Sequence, residues 1–554
     1  MFHTTIIPAS SLEKPFFDRA LPRCDRGEMF KNELFSFQFA FRADPRGASN
    51  NPNFIEARFE IDSPLRPWLT LGLVGHVGVT MPCYARYDQD YLGHAPGLYP
   101  DPIEPLCEGD IHVYVGKWRS IWAAVQGTDE LAAGEYPVTL SLYEKKGDAL
   151  LARETFTVRV MNAGLPAQSF PCTNWLHFDS IADAHNVPML SEPFWALLEK
   201  YVALAVAGGT NLLLTPCFTP PLDTPVSGER MTAQLVGVTV RGGAYSFDFA
   251  NLERFIRMAQ RHGNVYFEHS HLFTQWGASH APKIMADVDG VKTRIFGWET
   301  DACGDEYRLF LEAYLAALTA FLGARNLTDR FYFHVSDEPE KKHLPVYAHG
   351  YGLLSRFVDP AHIIDALSDV DFLEEGVIQT PVAVTTSVPD FLGKTDSLWA
   401  YYTGGQSVNL PNRLIALPQR RNRTLGFQLY ALDIKGFLHW GFNFYYNQLS
   451  RKPVNPFVSP DALGDFVGGT SYLVYPGESG PVPSLRYYAF AEAISDLRAL
   501  KLLESLSSRE EALNVLKDAL NVREITFSTC PASEAAFIEL RKAINRAVES
   551  HLKK

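Results

Sequence analysis

Along residues 1–165, apolar and polar positions alternate with a period of two. Phe35, Phe37, Phe39 and Phe41 alternate with Ser36, Gln38 and Ala40. Ile55, Ala57, Phe59 and Ile61 alternate with Glu56, Arg58 and Glu60, and Ile111, Val113 and Val115 repeat the pattern. Successive strand side chains point to opposite faces, so this alternation predicts short strands with one buried face, packed as a β-sandwich. Val138, Leu140 and Leu142 fall opposite Phe156, Val158 and Val160 across a turn at Lys146-Gly147-Asp148. The stretch 83–108, rich in Tyr, Pro and Asp, reads as a long loop positioned to pack against the mouth of the next domain.

At Ala163-Gly164-Leu165-Pro166 the pattern changes to strand, helix, strand, helix. Strands are predicted at 172–177, 211–214, 264–268, 330–335, 363–366, 382–385, 397–402 and 436–440. Helices are predicted at 193–206, 252–260 and 307–322, and an inserted hairpin within 233–249 turns at Gly242-Gly243. Eight strands alternating with helices over about 300 residues give a (β/α)8 TIM-like barrel. Beyond it the chain is helical: Ser484 caps a segment with Ile494, Leu497 and Leu500 on one face, followed by helices over 511–521 and 534–552. The expected fold is therefore multidomain, β plus α/β: an N-terminal β-sandwich over 1–165, a central barrel over 166–483 and a C-terminal helical region over 484–554.

Composition narrows the function classes. The 554 residues are 46% hydrophobic and 20% charged, ordinary for a water-soluble globular chain, and 13% aromatic, which is high. A net charge of −13 argues against a nucleic-acid or anionic-membrane partner. The seven cysteines are irregularly spaced, which suggests neither a disulfide framework nor a zinc ribbon. The opening residues through Pro8 lack a charged and then apolar leader, and no apolar run is long enough to span a membrane. A cytoplasmic protein without a cofactor is the expectation.

The candidate chemistry gathers at Phe331-Tyr332-Phe333-His334-Val335-Ser336-Asp337-Glu338-Pro339. An aromatic and β-branched run ends in two adjacent carboxylates, at the strand end where barrel enzymes carry their chemistry. Neighbouring carboxylates share one field, so ionising one disfavours ionising the other, as an acid with an anionic helper requires. In a regular strand the two would point apart. The chain must turn at 336–339, and Pro339 restricts Glu338 to an extended or polyproline-like backbone. Asp337 with Glu340 also fits a helix-capping pattern for 340–357.

His334-Val335-Ser336-Asp337-Glu338-Pro339 resembles the signature of glycoside hydrolase family 123 and its relatives. Trp175-Leu176-His177-Phe178-Asp179 resembles that family's first barrel strand. Trp399-Ala400-Tyr401-Tyr402 and Leu438-His439-Trp440-Gly441-Phe442-Asn443 resemble two of its late strands. The resemblance implies a retaining β-N-acetylhexosaminidase, β-N-acetylgalactosaminides favoured, acting on an oligosaccharide or glycoconjugate glycan. In this mechanism the sugar's 2-acetamido oxygen, not a protein carboxylate, attacks C1. It further implies that Glu338 is the general acid and then base, while Asp337 orients the acetamido N–H and stabilises its developing charge. Tyr401 or Tyr402 would face the acetamido group, and strand alternation allows only one of them in the pocket. Trp440 would floor the sugar, and Asn443, His177 and Asp179 would hold hydroxyls.

Glu268-His269-Ser270-His271 leaves alternatives open. One of His269 and His271, with Trp276, would line a sugar pocket. The same two histidines, two positions apart, could instead ligate a metal in a metal-dependent barrel hydrolase. A non-catalytic glycan-binding protein is a third reading, disfavoured by the acid pair. Pro220-Pro221-Leu222-Asp223 is a rigid loop suited to forming another wall.

Overall fold

The computed structural model describes residues 3–44 and 53–553. Its N-terminal part is β-rich, with two five-stranded sheets. Thr4–Ser10 pairs antiparallel with Leu34–Ala43, so the chain's opening residues form an edge strand; Met1 and Phe2 lie outside the described residues. The hairpin from Gly134–Glu144 to Leu150–Val160 sets Val138 opposite Phe156. Phe37, Phe39 and Phe41 of one sheet and Ile55, Phe59, Leu140 and Val158 of the other belong to one buried cluster. Each such side chain withdrawn from water contributes about 1.5–3 kcal/mol.

The expectation of a single buried face is wrong for the strand Leu34–Ala43. Ser36, Gln38 and Ala40, on its other face, are also buried. The helix Leu485–Leu506 covers the Ser36 end of that face, where Glu492 accepts from the Ser36 N–H at 3.0 Å and from the Ser11 hydroxyl at 3.1 Å, while Ala40 is buried with Ala9, Leu21 and Trp118. Arg423 donates to the same carboxylate at 2.6 Å. The Gln38 side chain is held within the β-rich part itself, donating to the Ser10 and Glu13 carbonyls at 2.8 Å each and accepting from the Ser120 hydroxyl at 2.7 Å.

The central part is a nearly closed barrel of eight parallel strands. In chain order they are Cys172–Asn174, Leu212–Thr215, Tyr266–His269, Phe331–Tyr332, Ile364–Leu367, Thr380–Val384, Trp399–Tyr401 and Gly436–His439. Strands adjacent in sequence pair, and the first pairs with the eighth. Between the fourth and fifth strands only a bridge from Phe333 to Ile363 completes the circuit. Trp175, Leu212, Leu214, Ile364, Val382, Trp399 and Leu438 share one buried cluster. The helix Glu192–Ala207 begins as its sequence dictates: the Ser191 hydroxyl accepts from the Phe194 N–H, and Pro193 sits in the first turn. Beside the barrel, Gly237–Arg241 and Ala244–Asp248 form the anticipated hairpin, extended by Ile284–Val288 and Val291–Phe296 into a four-stranded sheet that periodicity did not reveal.

The C-terminus is helical over Leu485–Leu506, Arg509–Leu520 and Glu534–Leu552. The Ser484 hydroxyl caps the first, accepting from the Tyr487 N–H at 3.1 Å. Among the described residues no helix is long and apolar enough to cross a membrane.

Candidate active site

A cavity of about 300 Å³ opens at the C-terminal ends of the barrel strands. Asp337 and Glu338 both line it. The short fourth strand stops at Tyr332, so the residues after it are free of strand alternation. The turn is pinned from both sides. The Ser336 hydroxyl donates to the Thr274 carbonyl at 2.8 Å, the Trp276 N–H donates to the Asp337 carbonyl at 3.0 Å, and the Glu338 N–H donates to the Ala366 carbonyl at 3.0 Å. Glu338 has φ +45°, in the left-handed region, and not the extended backbone that a following proline favours. That conformation costs free energy in a non-glycine residue and persists because the three hydrogen bonds fix it. The turn brings both carboxylates to one cavity. Nor is Asp337 a helix cap. Glu340 and His343 form the capping box, and the following helix is Leu344–Leu354.

The carboxylates have different surroundings. Tyr401 is buried and donates its hydroxyl to Glu338 Oε1 at 2.9 Å. Burial, reinforced by the Glu338 charge, holds the Asp337 carboxyl well above the usual carboxylate range, while His334 opposes the shift. Asp223 also lines the cavity, and burial pushes its pKa up against the pull of Arg230.

Beneath the cavity lies a buried polar ladder. His334 joins Glu268 Oε2 at 2.9 Å to Asp365 Oδ1 at 3.2 Å, and the Tyr347 hydroxyl donates to Asp365 Oδ2 at 2.7 Å. Burial alone would lower the His334 pKa, but the two carboxylates carry it up to about 9. It is therefore an imidazolium at neutral pH, with both N–H groups donated. His271 stacks on it, ring centroids 4.3 Å apart, and burial with that neighbouring charge drives the His271 pKa well below its usual value.

The remaining sequence candidates separate into two groups. His177, Trp276, Tyr401 and Trp440 line the cavity with the acid pair. His177 is bonded through Nε2 to the Trp440 carbonyl at 2.8 Å, and burial, then Arg230, lowers its pKa to about 4, leaving the ring neutral. Trp440 meets Phe444 and Phe466 edge-on, and Trp276 is 46% exposed. Asp179, His269, His271, Tyr402 and Asn443 do not line it. Asp179 is ion-paired with buried Arg230 at 2.6 Å. His269 is held by the Tyr314 hydroxyl at 2.7 Å. Tyr402, on the other face of its strand, accepts from Arg413 Nε at 3.2 Å. Asn443 clamps the His177 backbone, accepting from its N–H at 2.8 Å and donating to its carbonyl at 3.0 Å.

Nor do His269 and His271 form a metal pair. Among the described residues, the group whose ligand atoms come within 4.8 Å of one another is His271, His334 and Asp365. Two ring nitrogens and a carboxylate are suitable donors, but His334 has both nitrogens engaged by carboxylates and no free lone pair as imidazolium. A cation there would have to break that ladder. Sequence reasoning did not single out Gln448 or Tyr84 of the cavity lining. Both come from loops with no periodicity to read. Tyr84 lies in the first part of the stretch read as a loop over 83–108, of which Gly97–Pro105 is instead a strand, and composition gives no reason to choose it over its neighbours.

The family model for the glycoside hydrolase 123 catalytic domain matches residues 175–503. The chain belongs to glycoside hydrolase family 123. It is an enzyme that hydrolyses glycosidic bonds, with a carbohydrate substrate. Over its whole length this family 123 member is similar in structure to a family 123 glycoside hydrolase from Clostridium perfringens, studied for glycolipid glycan hydrolysis. The two are 12% identical, with 99% of this chain and 98% of that one covered and a TM-score of 0.69, a likeness of fold. Lower similarity extends to β-glucuronidases of Ruminococcus gnavus (8% identity, 82% and 66% covered, TM-score 0.33) and Bacteroides uniformis (10%, 89% and 49%, 0.31). A comparison with curated protein sequences gives no match.

Proposed function

We propose that this family 123 enzyme is a retaining β-N-acetylhexosaminidase, with β-N-acetylgalactosaminides its favoured substrates, working through the substrate's own acetamido group. The supporting observation is the pair Asp337 and Glu338 on one cavity with unequal surroundings. Glu338 is the acid that protonates the leaving oxygen and then the base that activates water. Asp337 receives the acetamido N–H. In the free enzyme burial favours a neutral Asp337. An N–H donated by the substrate favours its ionised form, so binding opposes the effect of burial on Asp337. The acetamido oxygen attacks C1, the glycosidic bond breaks, and an oxazolinium forms that water reopens with retention. Trp440 offers an apolar floor for the ring, and Tyr401 holds Glu338 in place.

The same reading treats residues 1–165 as a β-sandwich, 166–483 as a TIM-like catalytic barrel and 484–554 as a helical brace. The test is turnover of nitrophenyl glycosides in matched pairs with and without a 2-acetamido group. Cleavage confined to the acetamido member of each pair is expected. Equal cleavage of both would overturn the substrate-assisted mechanism while leaving the glycosidase assignment standing.

A further inference from the structure

The cavity has one wall that does not come from the barrel. Tyr84, carried by the β-rich N-terminal part, lines it beside Gly404 of the loop that follows Trp399–Tyr401. The segment bearing Tyr84 is fastened to barrel loops at both ends. On one side the Thr80 and Met81 N–H groups donate to Asp461 Oδ2 at 2.7 and 2.9 Å, and the Gly468 N–H donates to the Met81 carbonyl at 2.9 Å. On the other, Arg421 pairs with Asp88 at 3.1 Å and Asp90 at 3.2 Å, and the Leu92 N–H donates to the Ala416 carbonyl at 2.9 Å. Asp461, Asp88 and Arg421 are buried, so these are anchors, not surface pairs.

The tyrosine itself is fitted to the barrel. Its ring packs on Leu414, Leu417 and Val467. A Cβ added at Gly404 would lie 2.7 Å from the Tyr84 hydroxyl oxygen, so glycine at 404 is the residue that leaves room for it. Burial raises the Tyr84 hydroxyl pKa, opposed by the neighbouring Val467 backbone, so the group is a neutral phenol.

We propose that Tyr84 is a substrate-binding residue of this cleft, donating its O–H to a hydroxyl oxygen of the bound acetamido sugar, and that the segment 80–92 is a fixed wall of the site. The β-rich part is then a component of the catalytic centre and not a separable accessory. The inference rests on the acetamido-sugar reading above.

The test combines Tyr84→Phe, Gly404→Ala and the double variant, with KM and kcat on a nitrophenyl N-acetylgalactosaminide and calorimetric affinity for free N-acetylgalactosamine. Loss of one neutral hydrogen bond predicts an about 3- to 10-fold higher KM and Kd for Tyr84→Phe, with kcat within about twofold. Gly404→Ala, by displacing the hydroxyl, should raise KM at least as much, since its methyl also meets Thr470 at 3.0 Å, and the double variant should be no worse than Gly404→Ala alone, because the tyrosine contact is already lost there. Unchanged KM and Kd in Tyr84→Phe overturn the proposal. So does a fall in kcat that tracks a fall in thermal stability, which would make Tyr84 structural only. A parent enzyme that neither binds nor cleaves any acetamido sugar would instead refute the substrate reading.

Discussion

Tyr401 and Tyr402 are adjacent in sequence and point to opposite faces of one strand, which gives a perturbation with its own control. Tyr401 donates to Glu338 Oε1 at 2.9 Å inside the cavity, and Tyr402 accepts from Arg413 at 3.2 Å outside it. Both are buried, so each hydrogen bond is shielded from water. A hydrogen bond to the carboxylate that Glu338 becomes as it gives up its proton contributes about 1.5–3 kcal/mol. If Tyr401 keeps Glu338 aligned on the leaving oxygen, Tyr401→Phe should lower kcat/KM by about 10- to 150-fold, at about 1.4 kcal/mol per decade. Tyr402→Phe leaves a buried arginine N–H without its acceptor. It should cost about 1–3 kcal/mol of stability, read as a lower melting temperature, with kcat/KM within about threefold of the parent. Steady-state kinetics on a nitrophenyl acetamido glycoside, with thermal unfolding of the same preparations, separates the two effects. The reasoning fails if Tyr401→Phe is within about twofold of the parent, or if Tyr402→Phe shows the larger kinetic defect.

Three further outcomes follow from the same geometry. Glu338→Gln should be about 10²- to 10⁴-fold slow on a natural glycoside and far less impaired with a dinitrophenyl leaving group, whereas Asp337→Asn should be slow on both, mainly in kcat; the opposite pattern in a leaving-group series would reverse their roles. Activity should survive extensive EDTA dialysis, because both His334 nitrogens are already engaged by Glu268 and Asp365; loss restored by zinc or manganese would reinstate the metal reading. The His334 pKa is raised from 6.5 to about 9 on folding, so its contribution to stability is complete below about pH 6.5 and is lost as pH rises through about 9. The difference in melting temperature between the parent and His334→Gln should therefore shrink across that interval, and a difference that grows would refute the ion ladder.

The sequence by itself determined the elements and their class. Alternation at Phe37, Phe39 and Phe41 gave a strand because side chains on extended backbone face opposite ways, and Ser191, Pro193 and Ser484 marked helix starts because capping is local chemistry. It also drew attention to Asp337 and Glu338, since paired carboxylates after an apolar strand are costly to place without use. What it could not determine were relations set by contacts distant in sequence. The left-handed turn at Glu338 depends on carbonyls and N–H groups from residues 274, 276 and 366, and no local preference favours it over the extended backbone expected before Pro339. His269 and His271 read as pocket or metal residues, yet tertiary packing gave one to Tyr314 and stacked the other on His334. Ser36 and Gln38 read as solvent-facing, yet Ser36 lies under the helix Leu485–Leu506 and Gln38 is buried against Ser10, Glu13 and Ser120. Tyr84 carried no signal of its own within its loop. Its place in the cleft is decided by ion pairs and backbone bonds to barrel loops more than 300 residues away, and by the missing side chain at Gly404.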